Sequence, residues 1–170
     1  MNTRDFDVFA ESDEAAQIFD SLVPHGDEAF MVLKAHLVAE RALVAFVKAR
    51  APSPSFQKDS IQDKNSPCSS GLGLILLAEG LSLRDDIPQT HAHIVWPALK
   101  TLNGIRNQLV HELNPDSASV QKKMIKFIKA AVPEIEDSAC NLNQTFHACV
   151  KYVVALLAID RKPLLVDDAE

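Results

Sequence analysis

Residues 27–50 read DEAFMVLKAHLVAERALVAFVKAR, and this stretch decides the fold. Asp27 is a capping residue type, and the helical pattern it opens runs to about Arg50. Lys34, Arg41 and Lys48 recur every seven residues and mark a solvent side. At about 100° per residue, Val32, Leu33, Ala39, Leu43, Phe46 and Val47 fall opposite them. Two polar residues, His36 and Glu40, fall inside that apolar arc. A carboxylate buried there must find a partner or take up a proton, because leaving it charged and alone is costly.

The rest of the chain repeats the helical pattern with clear punctuation. Ser12-Asp13-Glu14 starts a short helix and Pro24-His25-Gly26 ends it. From Ala51 to Pro67 the composition shifts to Pro, Ser, Asp and Lys without an apolar period, which reads as a loop. Ser69-Ser70 opens a short apolar helix to about Leu81, and Arg84-Asp85-Asp86-Ile87-Pro88 closes it. A helix from about Trp96 to Leu113 tolerates Pro97 in its first turn; a start near Thr90 makes Pro97 a kink instead. After Asn114-Pro115-Asp116, a further helix sets Met124, Phe127, Ile128 and Ala131 against a lysine-bearing side. Pro133 restarts the chain, and Ile135, Ala139, Leu142, Phe146, Val150, Val153 and Leu157 keep a three-to-four spacing to about Ile159. Residues 160–170 read as a flexible tail.

Composition agrees. Five glycines and 6% aromatic residues are few for a sheet protein, and a chain of 170 residues suits one domain with a real core. There is no internal repeat and no strand-like alternation. The expectation is an all-α, up-and-down helical bundle of five or six helices, forming a single domain over residues 1–170.

The net charge of −6 speaks against a protein that coats nucleic acid non-specifically. The charge is uneven, however. Acidic residues from Asp5 to Glu28 crowd the first segment, whereas Lys100, Arg106, Lys122, Lys123, Lys126 and Lys129 face only Glu112 and Asp116. That basic stretch is either a solvated face or a surface for an anion or RNA. Cys68, Cys140 and Cys149 form neither an even set nor a CxxC pair, and read as reduced thiols. With an acidic N-terminus and a longest apolar stretch of only Gly71 to Ala78, the expectation is a cytoplasmic protein with no membrane contact.

The helix ending at Leu113 mirrors the oddity of the first. Ala98, Leu99, Leu102, Ile105, Leu109, Val110 and Leu113 form its apolar arc, and Arg106 sits in the middle of it. A buried arginine needs an anion as a buried glutamate needs a cation, so Glu40 and Arg106 are expected to meet, or to share a polar pocket with His36. Asn103, Asn107 and His111 recur at spacing four on the flank of that arc, with Lys100 beside them. Such a stripe serves either a ligand or a packed neighbouring helix.

The segment Arg106-Asn107-Gln108-Leu109-Val110-His111 resembles the Arg-(Asn/Asp/His)-x-x-x-His motif of HEPN domains, and the context Leu102-Asn103-Gly104-Ile105 is similar to the corresponding helix. Elsewhere the likeness extends to helix order and length. The resemblance implies a homodimer whose motif helices approach across a two-fold axis. It also implies either a metal-independent ribonuclease of toxin or defence type, or an inactive interaction or regulatory module with a protein partner such as an antitoxin. On that basis Arg106 holds the scissile phosphate, His111 acts as general acid or base, and Asn107 orients one of them, with Glu40, His36 and Asn103 as a supporting polar pocket. Arg106 and His111 lie about 140° apart around one helix. A second copy removes the difficulty of aiming both at one atom.

No cofactor and no metal are expected. His91-x-His93 diverges on a helix, the Glu-x-x-His repeats of di-metal bundles are missing, and Gly71-Leu72-Gly73 lacks the third glycine and preceding strand of a dinucleotide site.

Overall fold

The computed structural model describes residues 28–51, 53–83, 91–112, 117–134 and 141–161, together with Gln17. The short helix expected near residues 12–24 (Gln17 apart), the closing segment 84–88, the stop at 114–116, residues 135–140 and the tail after 161 lie outside the described residues. Pro133, expected to restart the chain as a helix, lies in a turn, and Asp160 and Arg161, expected in the tail, still belong to the last helix. Within them every regular element is helical.

The first long helix, α1, spans Glu28–Arg50 and buries Val32, Ala39, Leu43, Phe46 and Val47 as the wheel requires. Arg41 and Lys48 face solvent, while Lys34 is half-buried with its ammonium 5.3 Å from the centre of the Phe30 ring. Residues 54–62, expected as part of a loop, are helical instead. Pro54–Gln57 forms one α turn (α2), and Lys58–Gln62 continues it as a π turn. The start signal is present in the sequence: Ser53 Oγ accepts from Phe56 N at 3.2 Å, and Pro54 occupies the first turn. Phe56 and Ile61 lean on the core, and Gln57 Nε2 donates to Lys48 O, so the segment is fastened to the end of α1.

Helix α3 (Gly71–Ser82) begins where Ser69-Ser70 indicates, but Ser70 does not cap it with its side chain. Helix α4 spans Ala92–Glu112 and takes the earlier of the two expected starts. Pro97 therefore lies inside it, on an exposed position, and His93, whose carbonyl loses its donor, is exposed as well. Helix α5 (Ala118–Ala131) is capped by Ser117, whose Oγ accepts from Val120 N at 3.3 Å. It buries Val120, Met124, Phe127, Ile128 and Ala131 at helical spacing. Helix α6 (Leu142–Arg161) sends Phe146, Val150, Val153 and Leu157 into the core.

Four helices form the bundle: α1 packs on α4 and α6, and α5 packs on α4 and α6. Helices α1 and α4 run antiparallel, since His36 meets Asn103 at one level and Phe46 meets Trp96 edge-on at another, with ring centres 5.7 Å apart. The α4–α5 pair is antiparallel too, with Ser119 beside Glu112 and Lys123 beside Gln108 and Gly104. Helix α3 lies across the α1–α4 seam. Phe46, Phe127 and Phe146 are fully buried, each stabilising the fold by roughly 1.5–3 kcal/mol relative to exposure. An 18-residue window of α6, Leu142–Ile159, is long and apolar enough to cross a membrane by length and composition, and half of it is buried in the bundle.

Candidate functional site

Helix α3 decides which part of the α1–α4 seam stays open. It begins at the level of Glu40 and Asn103 and runs toward the Trp96 end, where Ile75 packs near Leu43 and Leu99, and Glu79 pairs with Lys100 at 2.7 Å. The first turns of α1 and the last turns of α4 are left without that cover. Arg106, Asn107, Val110 and His111 on α4 are exposed there.

This overturns one expectation. Arg106 is not buried, and it does not meet Glu40; its Nη1 donates instead to Asn107 Oδ1 at 3.0 Å. Val110, also assigned to the apolar arc, is 48% exposed. The arc holds along α4, with Ile105 and Leu109 buried too, but its edge at Arg106 and Val110 lies beyond the cover of α3, and a helical wheel projects covered and uncovered turns onto one circle.

Glu40 finds a different partner. Its Oε1 accepts from Gly71 N at 2.8 Å, so the carboxylate caps the first turn of α3 from another helix. Orphan N–H groups and the positive end of the helix dipole both favour an anion at that point. Gly71 adopts φ +57°, a left-handed conformation natural to glycine. The rest of the expected pocket does assemble. His36 Nε2 lies 3.3 Å from Asn103 Oδ1, and His36 Nδ1 lies 3.9 Å from Glu40 Oε2. Burial holds the His36 pKa below its ordinary value; Glu40 and the Asn103 hydrogen bond pull it upward, and Arg106 pushes it down.

No family model, curated protein or solved structure matches this chain.

On the other flank of the motif, Lys123 Nζ donates to Gln108 Oε1 at 2.6 Å and reaches Gly104 O at 3.4 Å. Glu112 gathers Ser117 Oγ at 2.7 Å, Ser119 Oγ and Gln108 Nε2. These donors, Ser117 first, hold its carboxyl below the usual range. Sequence reasoning does not single out Gln108, Glu112 and Lys123. Their signal is the Ser117-x-Ser119 pair at the start of α5, which reaches Glu112 at the end of α4, and it becomes visible only once α4 and α5 are known to pack antiparallel. Among the described residues no three His, Cys, Asp or Glu side chains gather as a metal site. Cys68 is half-buried and Cys149 buried, both as free thiols, with burial pushing the Cys149 thiol up; Cys140 lies outside the described residues.

The site that results is a face with a charged fork at Arg106 and an imidazole at His111, backed by the closed polar cluster His36–Glu40–Asn103. An exposed guanidinium can bind an anion and an exposed imidazole can exchange a proton.

Proposed function

We propose that this chain is a HEPN-like, metal-independent endoribonuclease of toxin or defence type, acting in the cytoplasm as a homodimer through Arg106, Asn107 and His111. The observation that carries this reading is the exposure of Arg106: Glu40 accepts from Gly71 N instead of pairing with the guanidinium, which stays on the open face. Asn107 steadies that fork through its Oδ1, which keeps the remaining donors directed for phosphate oxygens.

In this mechanism the ribose 2′-hydroxyl adjacent to the scissile bond attacks the phosphorus. His111 of one copy takes the hydroxyl proton as general base, or gives a proton to the departing 5′-oxygen as general acid. Arg106 stabilises the charge that builds on the non-bridging oxygens. The products are a 2′,3′-cyclic phosphate and a 5′-hydroxyl, and the step is written without a metal. Around the helix, Asn107 and Val110 fall between Arg106 and His111. Val110 offers an apolar contact for a second motif helix, which brings His111 of one copy toward Arg106 of the other.

One observation favours a second reading. Val110 is about half exposed within the motif, an apolar contact equally suited to a protein partner such as an antitoxin or regulatory protein. On that reading the chain is a catalytically inactive interaction module. RNA cleavage by purified wild type and His111→Ala in excess chelator separates the two, after both are sized to confirm folded dimers. Chelator-resistant cleavage with cyclic-phosphate ends, lost in the variant, supports the ribonuclease. Equal inactivity of both on several RNAs refutes it in favour of the interaction module.

A further inference from the structure

The His36–Glu40 pair has an unbalanced hydrogen-bond count. Asn103 turns Oδ1 toward the ring, and an amide oxygen only accepts, so His36 Nε2 carries the proton and donates to it across 3.3 Å. In neutral His36 the other nitrogen, Nδ1, is then a bare acceptor. It faces a second acceptor, Glu40 Oε2, at 3.9 Å. That spacing is too long for a hydrogen bond, and two acceptors need a donor between them. Only two small donors fit: a water that donates to both, or a proton on Nδ1 itself. A partly open cleft of about 10 Å³, lined by His36 and Glu40 and by the apolar Ala39, Leu43, Ile75, Leu99 and Leu102, adjoins the pair, with room for about one water.

The other carboxylate oxygen is committed elsewhere, because Glu40 Oε1 accepts the Gly71 N–H that opens α3. The protonation state of His36 and the anchoring of α3 thus act on one carboxylate. We propose that His36 and Glu40 form a proton-linked latch on the start of α3. A single water bridges the two side chains when His36 is neutral, and a direct ion pair replaces that water when His36 is protonated.

The charges acting on His36 are Glu40 on its own helix and Arg106 on α4, while Asn103 contributes its hydrogen bond. Helix α3 brings the Gly71 N–H and the apolar Ile75. Closing the pair to a charge-assisted hydrogen bond draws Oε2 toward Nδ1 by about 1 Å. That movement turns the carboxylate away from Gly71, so protonation loosens the first turn of α3. This turn stands at the upper end of the open face that carries Arg106 and Val110.

The test is an NMR titration of the full chain from about pH 8 to about pH 4, following the His36 ring nitrogens and the Gly71 amide together. The latch requires the Nε2-protonated tautomer at neutral pH and a Gly71 shift with the same midpoint as His36. Glu40→Gln keeps an acceptor for Gly71 and sets an amide donor against Nδ1. It should weaken proton binding at His36 about tenfold or more, a midpoint lower by at least about one pH unit, and silence the Gly71 response. An Nδ1-protonated ring at neutral pH, a Gly71 amide that ignores the His36 titration, or an unchanged midpoint in Glu40→Gln overturns the proposal. Should Glu40→Gln fail to fold, the wild-type titration decides the case by itself.

Discussion

Two glycines of α3 make opposite predictions for the same substitution. A Cβ built at Gly73 meets Pro67 O at 1.7 Å, Pro67 C at 2.7 Å and Cys68 Cα at 3.3 Å. All three are backbone atoms, and real Cβ atoms do not approach that closely. The Pro67–Cys68 strand would have to retreat by more than an ångström. It is held by a turn in which Ser66 N donates to Asp63 O, Ser69 N and Ser69 Oγ donate to Ser66 O, and Cys68 N donates to Ser66 Oγ. At Gly80, by contrast, the added Cβ meets nothing within 4 Å. Both positions lie inside one helix, where alanine is favoured over glycine by about 1 kcal/mol. Gly80→Ala should therefore stabilise the protein by about 0.5–1 kcal/mol. Gly73→Ala sets the same gain against an overlap that typically costs about 1–3 kcal/mol or more, and should be a net loss. Because that gain is common to both, urea denaturation followed by far-ultraviolet circular dichroism, fitted with a shared slope, should separate the two variants by the overlap cost alone, about 1–3 kcal/mol or more. A Gly73→Ala variant as stable as wild type, or more stable, would refute the close approach of the Pro67–Cys68 strand.

The charged groups make further predictions. The His36 pKa is lowered in the folded protein, so the unfolded chain binds a proton that the folded chain refuses. The stability from neutral His36 is complete above its ordinary value of 6.5 and is lost as pH falls from there through the folded value. Urea midpoints compared near neutral pH and near pH 5 should fall more for wild type than for His36→Gln, and equal falls would count against the burial of His36. Arg106→Ala should change stability by no more than about 0.5 kcal/mol, because the side chain is exposed and does not close an ion pair with Glu40. A loss of several kcal/mol in thermal or urea unfolding would restore the buried pair. Lys100→Met removes the 2.7 Å contact to Glu79, yet as a partly exposed pair it should cost less than about 1 kcal/mol, and less still in high salt.

The helices are legible because their signals are local. Lys34, Arg41 and Lys48 against Val32, Leu43 and Phe46 define one face of α1 without knowledge of any other element. Ser69-Ser70 places the start of α3 in the same way, and the fold class comes from repeated periodicity. Residues 54–62 read as loop because a single turn carries no period, although Ser53-Pro54 holds the start signal. Gly71 and Gly73 look only like a failed dinucleotide fingerprint. Their reasons are a left-handed φ and a backbone crossing, neither of which leaves a trace in composition.

The site divides along the same line. Sequence alone marks His36 and Glu40 as out of place on an apolar face and in need of partners, with Asn103 on the flank of the facing arc; it wrongly adds Arg106 to that buried set. The pairing comes only from tertiary structure. Which turns of the α1–α4 seam are buried depends on where α3 begins, and α3 begins at the level of Glu40 and Asn103. Above that level the wheel's apolar arc is covered and Glu40 caps a helix. Below it only the edge of the arc is open, so Arg106 and Val110 face solvent beside His111 while Ile105 and Leu109 stay buried. Periodicity states the direction in which a side chain points, and the neighbour it meets is set by how far the covering helix extends.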